Sequence, residues 1–227
     1  MRYNGVWVTP EPKITGLKSG GVSVRLRDET LEILKQKKWN DRLSVFPPDD
    51  FSYRSLSPDE VELTADMTPK AKVIDFMSFG PFMFPTDIII SQRAADFLAS
   101  QKMLKYELVS ITLYNNKEKV PGKFYFWINH ALRPELFELE QAIIRSGTIG
   151  LGFKFHQVND ISAYREFIKE FNNTTFIRTK LKDPVPAPGC LEILADAIFV
   201  TEKFWKEYEQ AKLIGLKLIK KELELVE

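Results

Sequence analysis

The chain has 227 residues, of which 44% are hydrophobic and 28% are charged, and its formal net charge is +1. This composition is that of an ordinary globular protein with enough apolar material for a sizeable core, and the small net charge gives no general attraction to nucleic acid or to an anionic membrane. No apolar run is long enough to span a bilayer, and the single cysteine, Cys190, excludes a disulfide within the chain. Because Met1 to Gly5 lack the apolar core of a signal peptide, we expect a cytoplasmic protein.

The N-terminal part contains two short extended runs and one helical run. Alternating apolar residues predict strands at 3–8 and 22–26, and Asp28 is placed to begin a helix that continues to about Lys38. Between 40 and 69, repeated prolines interrupt every period, which is typical of a long irregular region. We therefore expect residues 1–72 to supply strands, a helix and an irregular acidic region. Residues 73–227 should form an α+β core, either as a separate part or as one continuous domain with the first.

The irregular region carries an uneven charge. Residues 49–66 include six acidic residues and one basic residue, Arg54, for a net charge of −5. This stretch is either a solvated loop or an acidic contact surface for a basic partner. In the second interpretation, the candidate partner-binding residues are Asp49, Asp50, Phe51, Tyr53, Asp59 and Glu60.

The centre of the chain contains a pattern that returns near the C-terminus. Three aliphatic residues precede Ser91, a helical run continues to about Met103, and an extended run covers 106–114. Three apolar residues likewise precede Thr201, followed by a helical run and an extended run from Leu216. Ser and Thr are good helix N-caps, because the hydroxyl accepts a free backbone N–H of the first turn. We expect the two strand–helix–strand units to superpose; the similarity itself reflects either duplication or chance.

The remaining elements complete the predicted fold. Aromatic residues between 73 and 84 predict core, and the runs at 106–114 and 124–128 predict an antiparallel hairpin. Helices are expected from Pro134 to Arg145 and after Asn159 or Asp160, with strands at 149–155 and 176–181. The fold class that follows is α+β, with a mixed or mostly antiparallel sheet, packed helices and the two similar units.

The sequence contains no recognisable catalytic or metal-binding motif. The two histidines, His130 and His156, have no partner at ligand spacing, and no nucleophile elbow or phosphate-binding loop occurs. Each histidine follows a predicted strand, where it either acts in acid–base chemistry or makes a single structural hydrogen bond. We predict no catalytic residue, no metal and no cofactor. The alternatives are a small hydrolase that uses His130 or His156, and a nucleic-acid-binding protein.

Several short motifs resemble immunity proteins of bacterial polymorphic toxin systems. They are Val73-Ile74-Asp75-Phe76, Asp87 to Arg93, Glu107-Leu108 to Leu113, Phe124 to Asn129, and Ala197 to Lys203 followed by Gly215. In that type, an aliphatic–Ser–Glu-like cap occurs twice and a Tyr-x-x-x-Asn strand follows the first copy, which Tyr125 and Asn129 match. Gln92 in place of Glu and Thr201 in place of Ser depart from the pattern. The resemblance covers about residues 73–129 and 190–219.

The resemblance implies a cytoplasmic inhibitor that binds and blocks a cognate protein toxin. It carries no catalytic residue, and it implies neither a nucleic-acid partner nor a membrane partner.

Overall fold

The computed structural model describes residues 1–18, 21–36, 63–80, 88–104, 106–129, 132, 134–148, 152–171, 174–182, 188–193 and 197–226. Within these residues the fold is α+β, as the sequence predicts, with two mixed sheets and five α-helices packed against them. The helices are α1 (Pro12–Thr15), α2 (Asp28–Gln36), α3 (Gln92–Ser100), α4 (Ile161–Glu170) and α5 (Glu202–Gln210).

The first seven-stranded sheet has the order β11-β10-β12-β15-β1-β14-β13. Its strands are β1 (Arg2–Val8), β10 (Ile143–Thr148), β11 (Gly152–His156), β12 (Thr175–Lys180), β13 (Cys190–Ile193), β14 (Ala197–Val200) and β15 (Leu216–Val226). We call it sheet A.

The second sheet, sheet B, has the order β4-β6-β9-β7-β3-β2-β5, with β8 paired to β7 beside this path. Its strands are β2 (Val24–Leu26), β3 (Leu63–Met67), β4 (Phe76–Met77), β5 (Phe79–Gly80), β6 (Ile88–Ser91), β7 (Tyr106–Asn115), β8 (Glu118–Lys119) and β9 (Phe124–Asn129).

Three apolar clusters build the core, and one of them is shared by the two sheets. Alternation along β6 sends Ile88 and Ile90 into this shared layer, and Ile89 into a cluster that belongs to sheet B and α2. In β14, Ile198 likewise enters the shared layer, and Phe199 enters a cluster that belongs to sheet A and α4. The shared layer also contains the buried faces of α3 and α5, so each of these helices covers apolar strand surface and contacts the other.

The two predicted strand–helix–strand units are confirmed in topology and in register. β6 and β7 are parallel with β9 between them, and β14 and β15 are parallel with β1 between them. In each unit, one residue of the middle strand is paired with both neighbouring strands at equivalent positions. This residue is Trp127 in sheet B and Val6 in sheet A. Their partners are Ile88 and Leu108 for Trp127, and Ile198 and Leu218 for Val6.

In sheet A, the N-terminal strand β1 therefore occupies the position that β9 occupies in sheet B. β9 is reached from β7 through the short β8 segment, whereas β1 lies more than 200 residues before β15 in sequence. Residues 1–72 consequently contribute to both sheets, since β2 and β3 belong to sheet B. The C-terminal unit is completed by the first residues of the chain.

Asp75 joins the two units at the start of β4. Its carboxylate accepts from the Ser91 hydroxyl at 2.7 Å, from the Arg93 guanidinium, and from the Ile214 N–H at 2.9 Å. Arg93 also donates to the Lys212 carbonyl at 2.9 Å, so both partners of the ion pair bind the segment that follows α5. Burial alone would raise the pKa of the Asp75 carboxyl, but the hydrogen bonds from Arg93, Ser91 and Ile214 outweigh it and hold the pKa below its usual value.

One predicted helix is wrong. Where the apolar pattern predicts a helix from Pro134 to Arg145, the chain makes two 3-10 turns, Pro134–Leu136 and Leu139–Gln141, and then enters β10. The apolar residues serve tertiary contacts, because Leu139 and Ile144 both pack in the cluster between sheet A and α4. Pairing with β11 and β12 decides the conformation of this segment.

The first prediction tests the place of β1. Val6 is fully buried between β14 and β15. Val6→Asp would therefore bury an unpaired carboxylate and should lower the free energy of unfolding by about 2–5 kcal/mol. Urea unfolding followed by circular dichroism measures this. Arg2→Asp, at an exposed position of the same strand, is the matched control and should change the free energy by about 0.5 kcal/mol or less. Equal, small effects of the two substitutions would contradict the insertion of β1 into sheet A.

The second prediction concerns pH. Because the pKa of Asp75 is lower in the folded protein than in the unfolded chain, its stabilisation is complete above about pH 4 and is lost as the pH falls through the folded-state pKa. We expect Asp75→Asn to cost about 2 kcal/mol at pH 7 and to flatten the fall of the unfolding free energy below about pH 4. Asp96→Asn on the exposed side of α3 is the control and should retain the wild-type slope. An unchanged slope in Asp75→Asn would contradict the assignment.

Candidate protein-binding site

The sequence-predicted contact residues lie outside the part of the chain that the structure describes. This holds for Asp49, Asp50, Phe51, Tyr53, Asp59 and Glu60, and also for His130. The acidic contact surface therefore stays a prediction.

His156 is described, and its surroundings are mostly aromatic. Its ring lies 4.6 Å from the ring centroid of Phe167 on α4 and 5.0 Å from that of Phe171, the residue directly after this helix. Nε2 is 2.8 Å from the Ser146 hydroxyl on the neighbouring strand. Among the described residues no carboxylate lies within hydrogen-bond reach of the imidazole, so this arrangement holds α4 against the end of sheet A.

The groups with perturbed pKa values also have structural roles. Burial, with a smaller contribution from Cys190, raises the pKa of Tyr3 to about 12, and this side chain lies in the cluster between sheet A and α4. Burial raises the pKa of Tyr208 too, although the Leu216 N–H that its hydroxyl accepts at 3.0 Å acts in the opposite direction. Neither hydroxyl is open to a substrate, since both residues are buried.

The residues that carry the resemblance meet at the first turn of α3. Ser91 caps this helix by accepting from the Ala94 N–H at 3.2 Å, and its own hydroxyl donates to Asp75. The Tyr125 hydroxyl on β9 donates to the Gln92 side-chain carbonyl at 2.5 Å. Thr201 caps α5 in the same way, accepting from the Phe204 N–H at 3.2 Å. In this chain the repeated motif therefore caps α3 and α5. In its first copy it also connects the start of α3 to Asp75 and to β9.

One concave surface lies beside α4. A cleft of about 470 Å³ is lined by Glu135, Phe137, Glu138, Leu139, Glu140, Gln141, Asn159, Asp160, Ile161 and Lys182. Three of its acidic residues have structural partners: Asp160 caps α4 by accepting from the Ala163 N–H, Glu135 pairs with Arg165 at 3.5 Å, and Glu138 accepts from the Gln141 side-chain amide. Within the described residues no group of three or more His, Cys, Asp or Glu side chains is arranged to hold a metal ion.

The outer edge of sheet A presents an exposed aromatic pair. β11 is the last strand of this sheet, and it pairs with β10 in the antiparallel register Ile144↔His156 to Thr148↔Gly152. His156 points towards α4, so alternation places Phe153 and Phe155 on the opposite face. Phe155 is 66% exposed and Phe153 is 42% exposed. We call Arg145, Phe153, Lys154 and Phe155 the aromatic edge.

Local interactions hold the aromatic edge in place. The Arg145 guanidinium lies over the Phe153 ring, 4.4 Å from its centroid, which fixes the ring by a cation–π contact. Gly147 adopts a φ of +109°, and a Cβ there would come within 2.4 Å of the Gly152 carbonyl oxygen. The close approach of β10 and β11 therefore requires glycine at this position.

One residue in the sequence indicates that the strand carrying Phe153 and Phe155 is exposed, although the apolar pattern of the segment suggests burial. The sequence predicts a strand at 149–155, and phenylalanine is a residue that folded proteins often bury. Lys154 between them indicates that the strand reaches the surface, because lysine is almost never fully buried unless it is paired. Only the position of β11 at the end of the sheet shows that the two rings face solvent.

A scan of the sequence against protein-family models found no match, and a search of curated proteins found no relative. The resemblance to immunity proteins thus stays a prediction that rests on the motifs themselves. Among the described residues, no helix is long and apolar enough to cross a membrane.

Proposed function

We propose that this protein is an immunity protein, which binds a cognate bacterial toxin by direct contact in the cytoplasm and neutralises it. Two features support the proposal: the paired strand–cap–helix–strand units that carry the resemblance, and the aromatic edge. The aromatic edge is the observation on which the binding function mainly rests. Aromatic and arginine side chains are the residue types most enriched at the centres of protein interfaces.

The aromatic edge can supply a substantial part of a binding free energy. Complete burial of a phenylalanine side chain is worth about 1.5–3 kcal/mol, and Phe155 retains most of its surface for a partner to cover. Arg145 adds positive charge on the face of the rings, and Lys154 adds it on the opposite face of β11. Tight inhibition requires an interface of roughly 800 Å² on each partner, which is larger than this edge. Further contacts must therefore come from elsewhere, and the candidate residues between Asp49 and Glu60 remain our proposed second surface.

The third prediction tests toxin neutralisation through the aromatic edge. Under the proposal, the toxin is the C-terminal domain of a large secreted protein encoded immediately upstream, and the experiment coexpresses that domain with the present chain in a bacterial host. We expect the wild-type chain to restore growth and to copurify with the toxin domain. The double substitution Phe153→Ser with Phe155→Ser should weaken the affinity at least about tenfold, because two partner-covered rings are removed. Isothermal titration measures the change.

Leu136→Ser is the matched control, since Leu136 is exposed to the same degree as Phe153 and lies in a 3-10 turn outside β10 and β11. It should leave the toxin affinity unchanged. The double variant should keep its thermal midpoint within a few degrees, because exposed positions contribute little to stability. A folded double variant with wild-type toxin affinity would exclude the edge from the interface. Failure of the wild-type chain to bind or neutralise this toxin would contradict the proposed function.

The fourth prediction tests the acidic segment. Many toxins attack nucleic acid and are basic around their active sites, so an acidic inhibitor surface would complement them. Replacing Asp49, Asp50, Asp59 and Glu60 with Ala should slow toxin association and reduce its salt dependence, as stopped-flow kinetics would measure. Phe51→Ser, made separately, should raise the dissociation rate if the ring anchors the partner. Unchanged rates in folded variants would remove this segment from the interface.

A further inference from the structure

The outer edge of β11 is open to strand pairing. In the described part of the chain β11 pairs with β10 alone, and no strand follows it in the order of sheet A. An edge strand offers a row of backbone N–H and C=O groups, and extended segments of other proteins add to such edges by main-chain hydrogen bonds. β11 has five residues, which is long enough to pair with a segment about 17 Å in length.

The charge of the hairpin decides which occupant fits. From 143 to 156 the sequence contains Arg145 and Lys154 and no acidic residue, so the hairpin has a net charge of +2 in a chain whose total is +1. Of these two residues, Lys154 lies on the edge strand β11 and would meet an incoming strand directly, whereas Arg145 lies on β10, one strand further in. Opposite charges across a strand pair stabilise it, and like charges directly opposite destabilise it.

A second copy of this chain fits the edge poorly. Complete antiparallel overlap of two β11 strands would be centred on Lys154, which would place two lysines directly opposite each other. The same lysine protects the edge from aggregation while leaving the rings beside it exposed. Lys154 thus selects against self-pairing and in favour of a strand with acidic side chains.

We propose that β11 binds an extended segment of a partner protein in which acidic and apolar residues alternate. The acidic side chains lie on the face of Lys154, and the apolar side chains lie on the face of Phe153 and Phe155, where Arg145 already fixes one ring. Sheet A is lengthened by one strand. This inference deepens the proposed function and rests on it for the identity of the partner as a toxin, whereas the chemistry of the segment follows from the edge itself.

The fifth prediction uses two synthetic peptides of about ten residues, enough to exceed the length of β11 at about 3.3 Å per residue. One alternates Glu and Val, and the other has Lys in place of each Glu. We expect the Glu peptide to bind at least about tenfold more tightly at low salt, because several opposite-charge pairs act together. Fluorescence polarisation measures the affinity. Hydrogen exchange should show slower exchange of the amides in Gly152–His156 on binding of the Glu peptide.

Substitutions distinguish the contribution of the Lys154 charge to peptide binding from that of the aromatic rings. Lys154→Glu should reverse the peptide preference, and Phe155→Ser should weaken the Glu peptide while preserving the preference. Lys220→Glu, at an exposed position on β15 of the same sheet, is the matched control and should preserve the wild-type order. Equal affinity for both peptides, or protection that lies outside β11, would overturn the proposal. A wild-type dimer in sedimentation that Phe155→Ser dissolves would assign the edge to a second copy and overturn it as well.

Neutralisation and hydrogen-exchange measurements with the toxin domain then test strand pairing at β11 and the proposed function independently. If wild type and Lys154→Glu neutralise the toxin equally and neither shows protection of β11, the strand-pairing mode fails while the function stands. If the Glu peptide protects β11 but the chain neither binds nor neutralises the toxin, the function fails while the chemistry of the edge stands.

Discussion

Burial of the apolar layer between the two sheets is the constraint on which the rest of the structure depends. Each sheet turns one apolar face towards this layer, and neither face has another cover in the described structure. α3 and α5 fill the space and meet through aromatic contacts, such as the pair Phe97 and Phe204 at 5.1 Å between ring centroids. Since both faces are covered by shared residues, loss of either unit would expose the apolar surface of the other.

The two units are equivalent in topology but not in chemistry. The Ser91 N–H donates to the Asp75 carbonyl, and the Thr201 N–H donates to the equivalent Gly189 carbonyl, at 3.0 and 2.8 Å. Only the first position carries a side chain, so the carboxylate that binds Arg93 and the segment after α5 occurs once. Among the described residues, this asymmetry places the Asp75–Arg93 ion pair in the first unit alone, where it binds the backbone of Lys212 and Ile214, whereas apolar packing supplies the symmetrical part of the interface.

The two sheets also differ at their outer ends. β10 and β11 extend sheet A beyond the region that α3 and α5 cover, and no described residue covers the face opposite α4 at Phe153 and Phe155. Phe153 and Phe155 are exposed because no element of the described chain reaches them, while His156 on the other face is packed against α4. A rigid sheet thus presents two aromatic rings and a basic hairpin, which is a suitable surface for a protein partner.

The sequence by itself determined the local elements of this protein. Ser91 and Thr201 predicted the starts of α3 and α5, because a capping hydroxyl acts within one helical turn, and the aliphatic residues before them predicted buried strands. Tertiary structure alone decided the pairing of β1 with β14 and β15, the strand conformation of Ile143–Thr148, and the exposure of Phe153 and Phe155. Each of these depends on which distant segment of the chain packs alongside. Apolar periodicity indicates that a residue prefers burial, but it does not identify the segment that buries it.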